Sequence, residues 1–351
     1  MIAWLAIIRS SIGRGKSTSL GADNNVTPPD PASRPAAPGD SPDVLKQRMI
    51  ALLILIVVVV ATAAWLWTPD LKRADLEARY ARGPGDFTEV AGLRLHLQDK
   101  GPRDAPVVIL LHGFGGSLQT WNDWTRLFET SLRVISLDLP GAGLTGADPS
   151  GDYTDARGMA VLLALLDKLA IQRASRVGHS MGGRLAWQFA AAHPDRLTKL
   201  VLVSPDGFAS PGFDYGKAPE VGVSLKAMKY VLPKPLLKMS LAPAYANPAI
   251  MTPALVTRYH EMMLAPDVRS AMIARLEQSV LQNPVPILGS ITAPTLLVWG
   301  DRDAMIPIAN ADDYLKAIPG ARLAMFPGVG HLPQEEAAEP SGKAILSFLQ
   351  P

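Results

Sequence analysis

In the stretch VGHSMGG, Val177 to Gly183, a serine stands two residues from a glycine on either side, fitting G-x-S-x-G. A β-rich run precedes it and a helical pattern follows. In that context the chain turns so sharply that the Ser180 side chain is raised clear of the backbone, and only small flanking residues allow the close approach. A serine hydroxyl is a weak nucleophile. It needs a base to take its proton and an acid to orient that base.

Of the six histidines, His96 falls in an early strand, His112 opens a loop, His193 ends a helix and His260 lies in a helical insertion. His179 adjoins the serine, where the turn directs its ring elsewhere. His331, in the glycine-rich Gly328-Val329-Gly330-His331 after the last strand pattern, is the expected general base. Trp299-Gly300-Asp301-Arg302-Asp303 ends the preceding strand pattern and offers the acid. Asp303 is favoured over Asp301 because the later residue of that turn folds back toward the histidine, and Asp206 is the alternative. The tetrahedral intermediate of acyl transfer also needs preorganised N–H donors. The expected pair is the backbone amides of Met181 and of Phe114 in His112-Gly113-Phe114-Gly115-Gly116, with Gly115 behind Phe114.

These residues need a scaffold that brings strand ends together. From about Pro69 the sequence alternates strands with amphipathic helices: FTEVAGLRLHLQ as a hairpin, PVVILLHG, LRVISLDLPG, ASRVGHS, KLVLVSPDG, APTLLVWGD and ARLAMFPGVG as strands, with helical patterns between. Such alternation requires crossovers, so the fold class is α/β with a mostly parallel sheet covered on both faces. The alternation stops over residues 208–292, which are helical in pattern, broken by prolines and rich in Met, Leu and Tyr. A structureless loop of that length is improbable, so the stretch reads as a helical cap. The division expected is a core of residues 87–207 and 293–351, a cap of 208–292, and a linker of 68–86.

The motifs HGFGGS, DLPGAGLTG, GHSMGG, WGDRD and GHLPQEE stand in the order found in α/β-hydrolases, and the chain resembles that family over about Phe87 to Leu349. The resemblance implies an eight-stranded sheet, a lid inserted after the sixth strand, and a Ser180, Asp303, His331 triad with no metal and no organic cofactor. It excludes the dehalogenases and epoxide hydrolases of this fold, which use aspartate where Ser180 stands. Within the family the chain is similar to membrane-anchored monoacylglycerol-lipase-like esterases, and to hydrolases that cleave carbon–carbon bonds in ring-fission products. The second group usually carries a tryptophan after the catalytic histidine and an arginine in the cap. Here Leu332 replaces the tryptophan, while Arg258 matches the arginine.

The lid residues Met228, Tyr230, Met239, Tyr245, Met251, Tyr259, Met262 and Met263 would make, if inward, a soft apolar pocket. Gly115, His179, Arg258 and Tyr259 are the candidate substrate contacts. The expected activity is carboxylic ester hydrolysis of hydrophobic, acylglycerol-like or aromatic substrates. Carbon–carbon hydrolysis, lactone opening and haloperoxidase-like chemistry are the alternatives, and a non-catalytic binding protein of the same fold is the remote one.

With 351 residues and 48% hydrophobic composition the chain can bury a full-sized core. A net charge of +2 offers no field to steer polyanions, so nucleic acid is not an expected partner. Without cysteine there is no disulfide, thiolate nucleophile or Cys-ligated metal. Residues 1–48 are rich in Pro, Ser, Gly and Asp and read as a disordered leader. MIALLILIVVVVATAAWLW, residues 49–67, has no charge and reads as a single transmembrane helix with Trp65 and Trp67 at its interface. Lys72, Arg73, Arg79 and Arg82 follow the span as closely as Arg34, Lys46 and Arg48 precede it, and the larger number of basic residues in the whole leader favours the leader inside and the catalytic part on the extracytoplasmic side.

Overall fold

A computed structural model describes residues 42–209 and 213–350. The expected leader therefore lies outside the described residues except for its end. There the structure departs from expectation: Pro42 to Arg48 are already helical and open α1 (Pro42–Leu66). Proline suits the first position of a helix and no breaker follows it, so the turn propagates straight into the apolar run. α1 belongs to one of two units of the chain, and the other runs on from Thr68. Its mean hydropathy is 2.9 over eighteen residues and none of its residues is buried. At about 1.5 Å per residue it is long and apolar enough to cross a bilayer.

The second unit opens with α2 (Arg73–Tyr80), inside the stretch expected to be a linker. That stretch is a docked strap. Leu76 is buried among cap residues, the Leu71 amide donates to Leu264 O at 2.8 Å, and Arg269 binds Asp70 at 2.7 Å. Tyr80 Oη donates to Glu261 at 2.6 Å, and Arg79 pairs with the same carboxylate.

Eight strands follow: β1 (Phe87–Val90), β2 (Leu93–Lys100), β3 (Val107–Leu111), β4 (Arg133–Leu137), β5 (Ala174–His179), β6 (Leu197–Val203), β7 (Thr295–Gly300) and β8 (Arg322–Phe326). They form one sheet in the order β1-β2-β4-β3-β5-β6-β7-β8. β1 and β2 make the expected hairpin, and every pairing from β4 to β8 is parallel. Parallel neighbours need crossovers, which are supplied by α3 (Asn122–Phe128), α4 (Asp155–Lys168), α5 (Met181–Ala192) and α11 (Ala309–Ala317). After β8 come α12 (Pro333–Glu336) and α13 (Ala338–Leu349).

The two faces of the sheet separate by the two-residue period of a strand. Ile109 and Leu111 of β3 pack beneath α4, α5 and α11, against Leu162, Leu165, Phe189 and Tyr314. Val108 and Leu110 point the other way, against Trp121, Trp124 and Phe128 near α3 and Ile345 of α13. Full burial of each such side chain contributes about 1.5–3 kcal/mol, so the β3 register is strongly specified.

Between β6 and β7 lie α6 (Val223–Ala227), α7 (Lys234–Leu241), α8 (Pro253–Met263), α9 (Val268–Gln278) and α10 (Val285–Leu288). Thr252 caps α8 by accepting the Leu255 amide, with Pro253 at the first helical position. Met228, Leu232, Leu237, Tyr259, Met262 and Met263 form a cluster of their own with Leu76 of the strap. The end of the expected cap belongs elsewhere: Leu288 and Ile291 join the core cluster under the sheet.

Candidate active site

β5 delivers Ser180 to the C-terminal edge of the sheet, and α5 begins at the next residue. Ser180 holds φ 53° and ψ −119°, a conformation L-residues rarely adopt. Three hydrogen bonds hold it there: its N–H donates to Val203 O at 3.0 Å and its C=O accepts the Asp206 and Arg184 amides at 3.0 Å each. The flanking glycines are required by contact. A Cβ on Gly178 would meet Gly182 O at 2.4 Å, and one on Gly182 would meet Leu111 O at 2.3 Å.

His331 follows β8 in a glycine-rich loop. Its N–H donates to Ala244 O at 2.8 Å, and its Nδ1 lies 2.8 Å from Asp303 Oδ2. Asp303, in the turn after β7, accepts the Met305 and Ile306 amides on Oδ1 at 2.8 Å each. Burial opposes its charge, but the facing imidazole and these donors outweigh that and hold its pKa below the usual carboxylate value. A carboxylate at Nδ1 keeps the proton there and leaves Nε2 as acceptor. Ser180 and His331 line the same cavity.

The rival acids have other work. Asp301 accepts the Gly328 amide at 2.7 Å and closes the turn that leads to His331. Asp206 pairs with buried Arg184 at 3.0 Å.

Phe114 and Met181 also line the cavity, and neither backbone amide has a protein acceptor among the described residues. His112 holds the Phe114 loop. The Leu139 amide donates to His112 Nε2 at 3.0 Å, so the ring proton sits on Nδ1 and donates to Gly113 O at 2.8 Å. His179 braces the other side: its Nε2–H donates to His331 O at 2.8 Å, with the two rings 4.6 Å apart. Burial, reinforced by the neighbouring His331, pushes the His179 pKa well below its ordinary value. A neutral ring therefore supports the His331 loop.

Of the expected substrate contacts, Gly115, His179 and Tyr259 line the cavity and Arg258 does not. Arg258 pairs with Glu335, and that carboxylate also accepts from Thr120 Oγ1 at 2.8 Å, Tyr259 Oη at 3.1 Å and Tyr245 Oη at 2.5 Å. Burial raises the pKa of both tyrosines, which keeps them protonated donors. Glu336 accepts the amides of Gly330 and, from the cap, Ala246 and Asn247. This pair pins the cap to the His331 loop. The only sign of it in the sequence was the acidic end of GHLPQEE.

Of the lid side chains expected inward, Met228, Tyr259 and Met263 line the cavity. Tyr245 and Met251 pack with Leu332, and Met262 joins the cap cluster. Tyr230 and Met239 are exposed instead, at 48% and 67%.

A model of the alpha/beta hydrolase fold matches residues 106–338. The chain belongs to the α/β-hydrolase fold family. It is 31% identical over 295 residues to the 2-hydroxy-6-oxononadienedioate/2-hydroxy-6-oxononatrienedioate hydrolase of Cupriavidus pinatubonensis, covering 79% of this chain and 99% of that protein. It is 30% identical over 268 residues to the 2-hydroxy-6-oxo-6-phenylhexa-2,4-dienoate hydrolase of Burkholderia cepacia, covering 74% and 92%. Among solved structures it is similar to the enol-lactonase of Burkholderia xenovorans LB400, with a TM-score of 0.64 and 25% identity over 75% of this chain and 99% of that one. The family match and these relatives together support a hydrolase.

Proposed function

We propose that the protein hydrolyses neutral, hydrophobic carboxylic esters through Ser180, His331 and Asp303. One observation carries the choice of substrate. The cavity of about 430 Å³ beside Ser180 is lined by residues such as Phe114, Phe208, Phe213, Leu237, Met263 and Ile306, and among the described residues no Lys or Arg lines it. Asp206 is the one carboxylate among the described lining residues. An anionic substrate would enter that chamber without a counter-charge, at a desolvation cost of several kcal/mol, whereas an acyl or aromatic group fits its chemistry.

In this reading Ser180 Oγ attacks the ester carbonyl as His331 Nε2 takes its proton. The amides of Phe114 and Met181 hold the oxyanion. The tetrahedral intermediate collapses, the alkoxide leaves with the proton from His331, and water activated by the same histidine releases the acid and restores Ser180. Asp303 keeps the His331 tautomer and stabilises the imidazolium. Helices α6 to α9 act as the lid over this site, and α1 anchors the protein by a single span with the hydrolase on the extracytoplasmic side.

Hydrolysis of the carbon–carbon bond of a ring-fission product is the second reading, favoured by the names of the relatives at 30–31% identity. Those names describe dienoates and dienedioates, which are carboxylates, and Arg258, the cap cation that would receive one, is committed to Glu335.

The test is turnover of p-nitrophenyl esters of graded chain length beside a ring-fission dienoate, with a fluorophosphonate probe for Ser180. Ester turnover that rises with chain length and vanishes in Ser180→Ala supports the first reading. Dienoate turnover with no ester hydrolysis replaces it with the second.

A further inference from the structure

From Val221 to His260 the chain carries four lysines and one arginine and no Asp or Glu. The cap folds this acid-free stretch so that one helix has two duties. Leu237, Ser240 and Leu241 of α7 wall the cavity. Leu236 and Met239 face away from it, 41% and 67% exposed, and Val223 at the start of α6 is 85% exposed. Lys229, after α6, and Lys238, next to Met239 in α7, are exposed as well. Lys226 and Lys234 are partly engaged, with Glu277 at 3.1 Å and Thr257 Oγ1 at 3.3 Å. Large apolar side chains alternating with lysines make a surface suited to a layer that is anionic outside and apolar beneath.

The strap says where this surface is held. The Thr68 amide donates to Tyr230 O at 2.8 Å, and the Leu232 amide donates to Thr68 Oγ1 at 3.1 Å, so the loop joining α6 to α7 is bonded to residue 68. Asp70 continues the clamp through Arg269. Trp67 is the one residue between the end of α1 at Leu66 and Thr68. Two residue steps reach at most about 7 Å. Where α1 spans a bilayer, the chain from Leu66 to Thr68 therefore tethers the residue to which this loop is hydrogen-bonded within about 7 Å of the end of the span.

We propose that the outer face of α6 and α7 docks on the headgroup layer of the anionic phospholipid bilayer that holds α1. Val223, Leu236 and Met239 enter the acyl boundary, and Lys229 and Lys238 meet lipid phosphates. α7 is then the wall between the bilayer and the chamber of Ser180, which gives a bilayer-dissolved neutral ester a short route to the nucleophile. The docking rests on the reading of α1 as a membrane span; only the route rests on the ester reading.

The chain has no cysteine, so Met239→Cys in the full-length protein takes a single polarity-sensitive fluorophore. Leu236→Cys is the second reporter and Lys343→Cys on α13 the control. The labelled proteins are reconstituted in phosphatidylcholine vesicles with and without phosphatidylglycerol, and flotation and quenching by spin-labelled lipid are read together. The expected result is a blue shift and lipid quenching at 239 and 236 with phosphatidylglycerol, none at 343, and a docked fraction at least about fivefold lower when Lys229→Glu and Lys238→Glu are added. Protein that floats with the vesicles while 239 and 236 report water overturns the docking and leaves the span standing. Protein that does not float and shows no shift overturns both. A blue shift without lipid quenching assigns the face to a protein partner and also overturns the proposal. Ester turnover is not a readout, so failure of the ester reading is seen separately.

Discussion

Replacing Asp303 by asparagine keeps the volume of the side chain and changes what it offers His331. Oδ1 of Asp303 accepts two backbone amides, from Met305 and Ile306, at 2.8 Å each, while Oδ2 faces His331 Nδ1 at 2.8 Å. An asparagine keeps its carbonyl oxygen on the two amides, which places its NH2 against Nδ1. His331 then accepts at Nδ1 and carries its proton on Nε2, where a base must be empty. The productive tautomer requires the flipped amide, which faces two buried N–H donors with a third and strands them, at about 1–3 kcal/mol each. Together these amount to about 2–6 kcal/mol, so the loss of kcat expected from Asp303→Asn lies between about thirtyfold and about 10⁴-fold. The assay is kcat and KM for a p-nitrophenyl ester from pH 5 to 9, with a melting curve to show that the variant is folded. KM should change little, because Asp303 does not touch substrate. Activity within threefold of the parent across that range would take the orienting role from Asp303 and move it to another carboxylate. The parent carries a matching acid signature. The folded-state pKa of Asp303 is lowered, so its stabilising contribution is complete above the unfolded carboxylate value near ~3.9 and is lost as pH falls through the lower folded value.

Two further perturbations probe other parts of the site. Arg258→Ala leaves the Glu335 carboxylate half-shielded with only hydroxyl donors, and breaking this largely buried pair should cost about 3–5 kcal/mol in urea unfolding while the ester chain-length preference stays the same; a selective rise in KM for a carboxylate substrate with unchanged stability would instead make Arg258 a substrate contact. Gly182→Ala puts a methyl 2.3 Å from the Leu111 carbonyl, backbone that cannot swing aside, and should lower Tm by on the order of 5–10 °C; an unchanged Tm would mean that the turn at Ser180 is not held by this contact.

The chain order of Ser180, Asp303 and His331 could be read in advance because each follows a strand, and parallel strands deliver their C-terminal ends to one edge of a sheet. Local spacing also placed the Phe114 loop and the turn at Ser180, since Gly178 and Gly182 crowd one another across it, while the need for Gly182 to clear the Leu111 carbonyl comes from the fold. Long-range partners were not legible in this way. Glu335 gathers Thr120, Tyr245, Arg258 and Tyr259 from three separate stretches, so its role as the pin between cap and core had no local period to announce it. Arg258 looked like a substrate cation because residue type alone does not say whether a charge is already paired. Residues 68–86 looked like a linker because their apolar content is low, yet Leu76 is buried in the cap cluster, Leu71, Tyr80 and Ala81 pack against it, and ion pairs hold the strap further.

The alternation of strand and helix, the order of the reactive residues and the apolar run of α1 were determined by sequence, because each rests on interactions between residues near one another in the chain. Which lid residues face the cavity, which carboxylate orients His331, which arginine is spent on a structural pair and which lysines border an exposed apolar face were decided only by tertiary structure. Those outcomes depend on competition among distant groups for the same charge or the same buried volume. That competition is settled when helices α6 to α9 and the strap close over the end of the sheet.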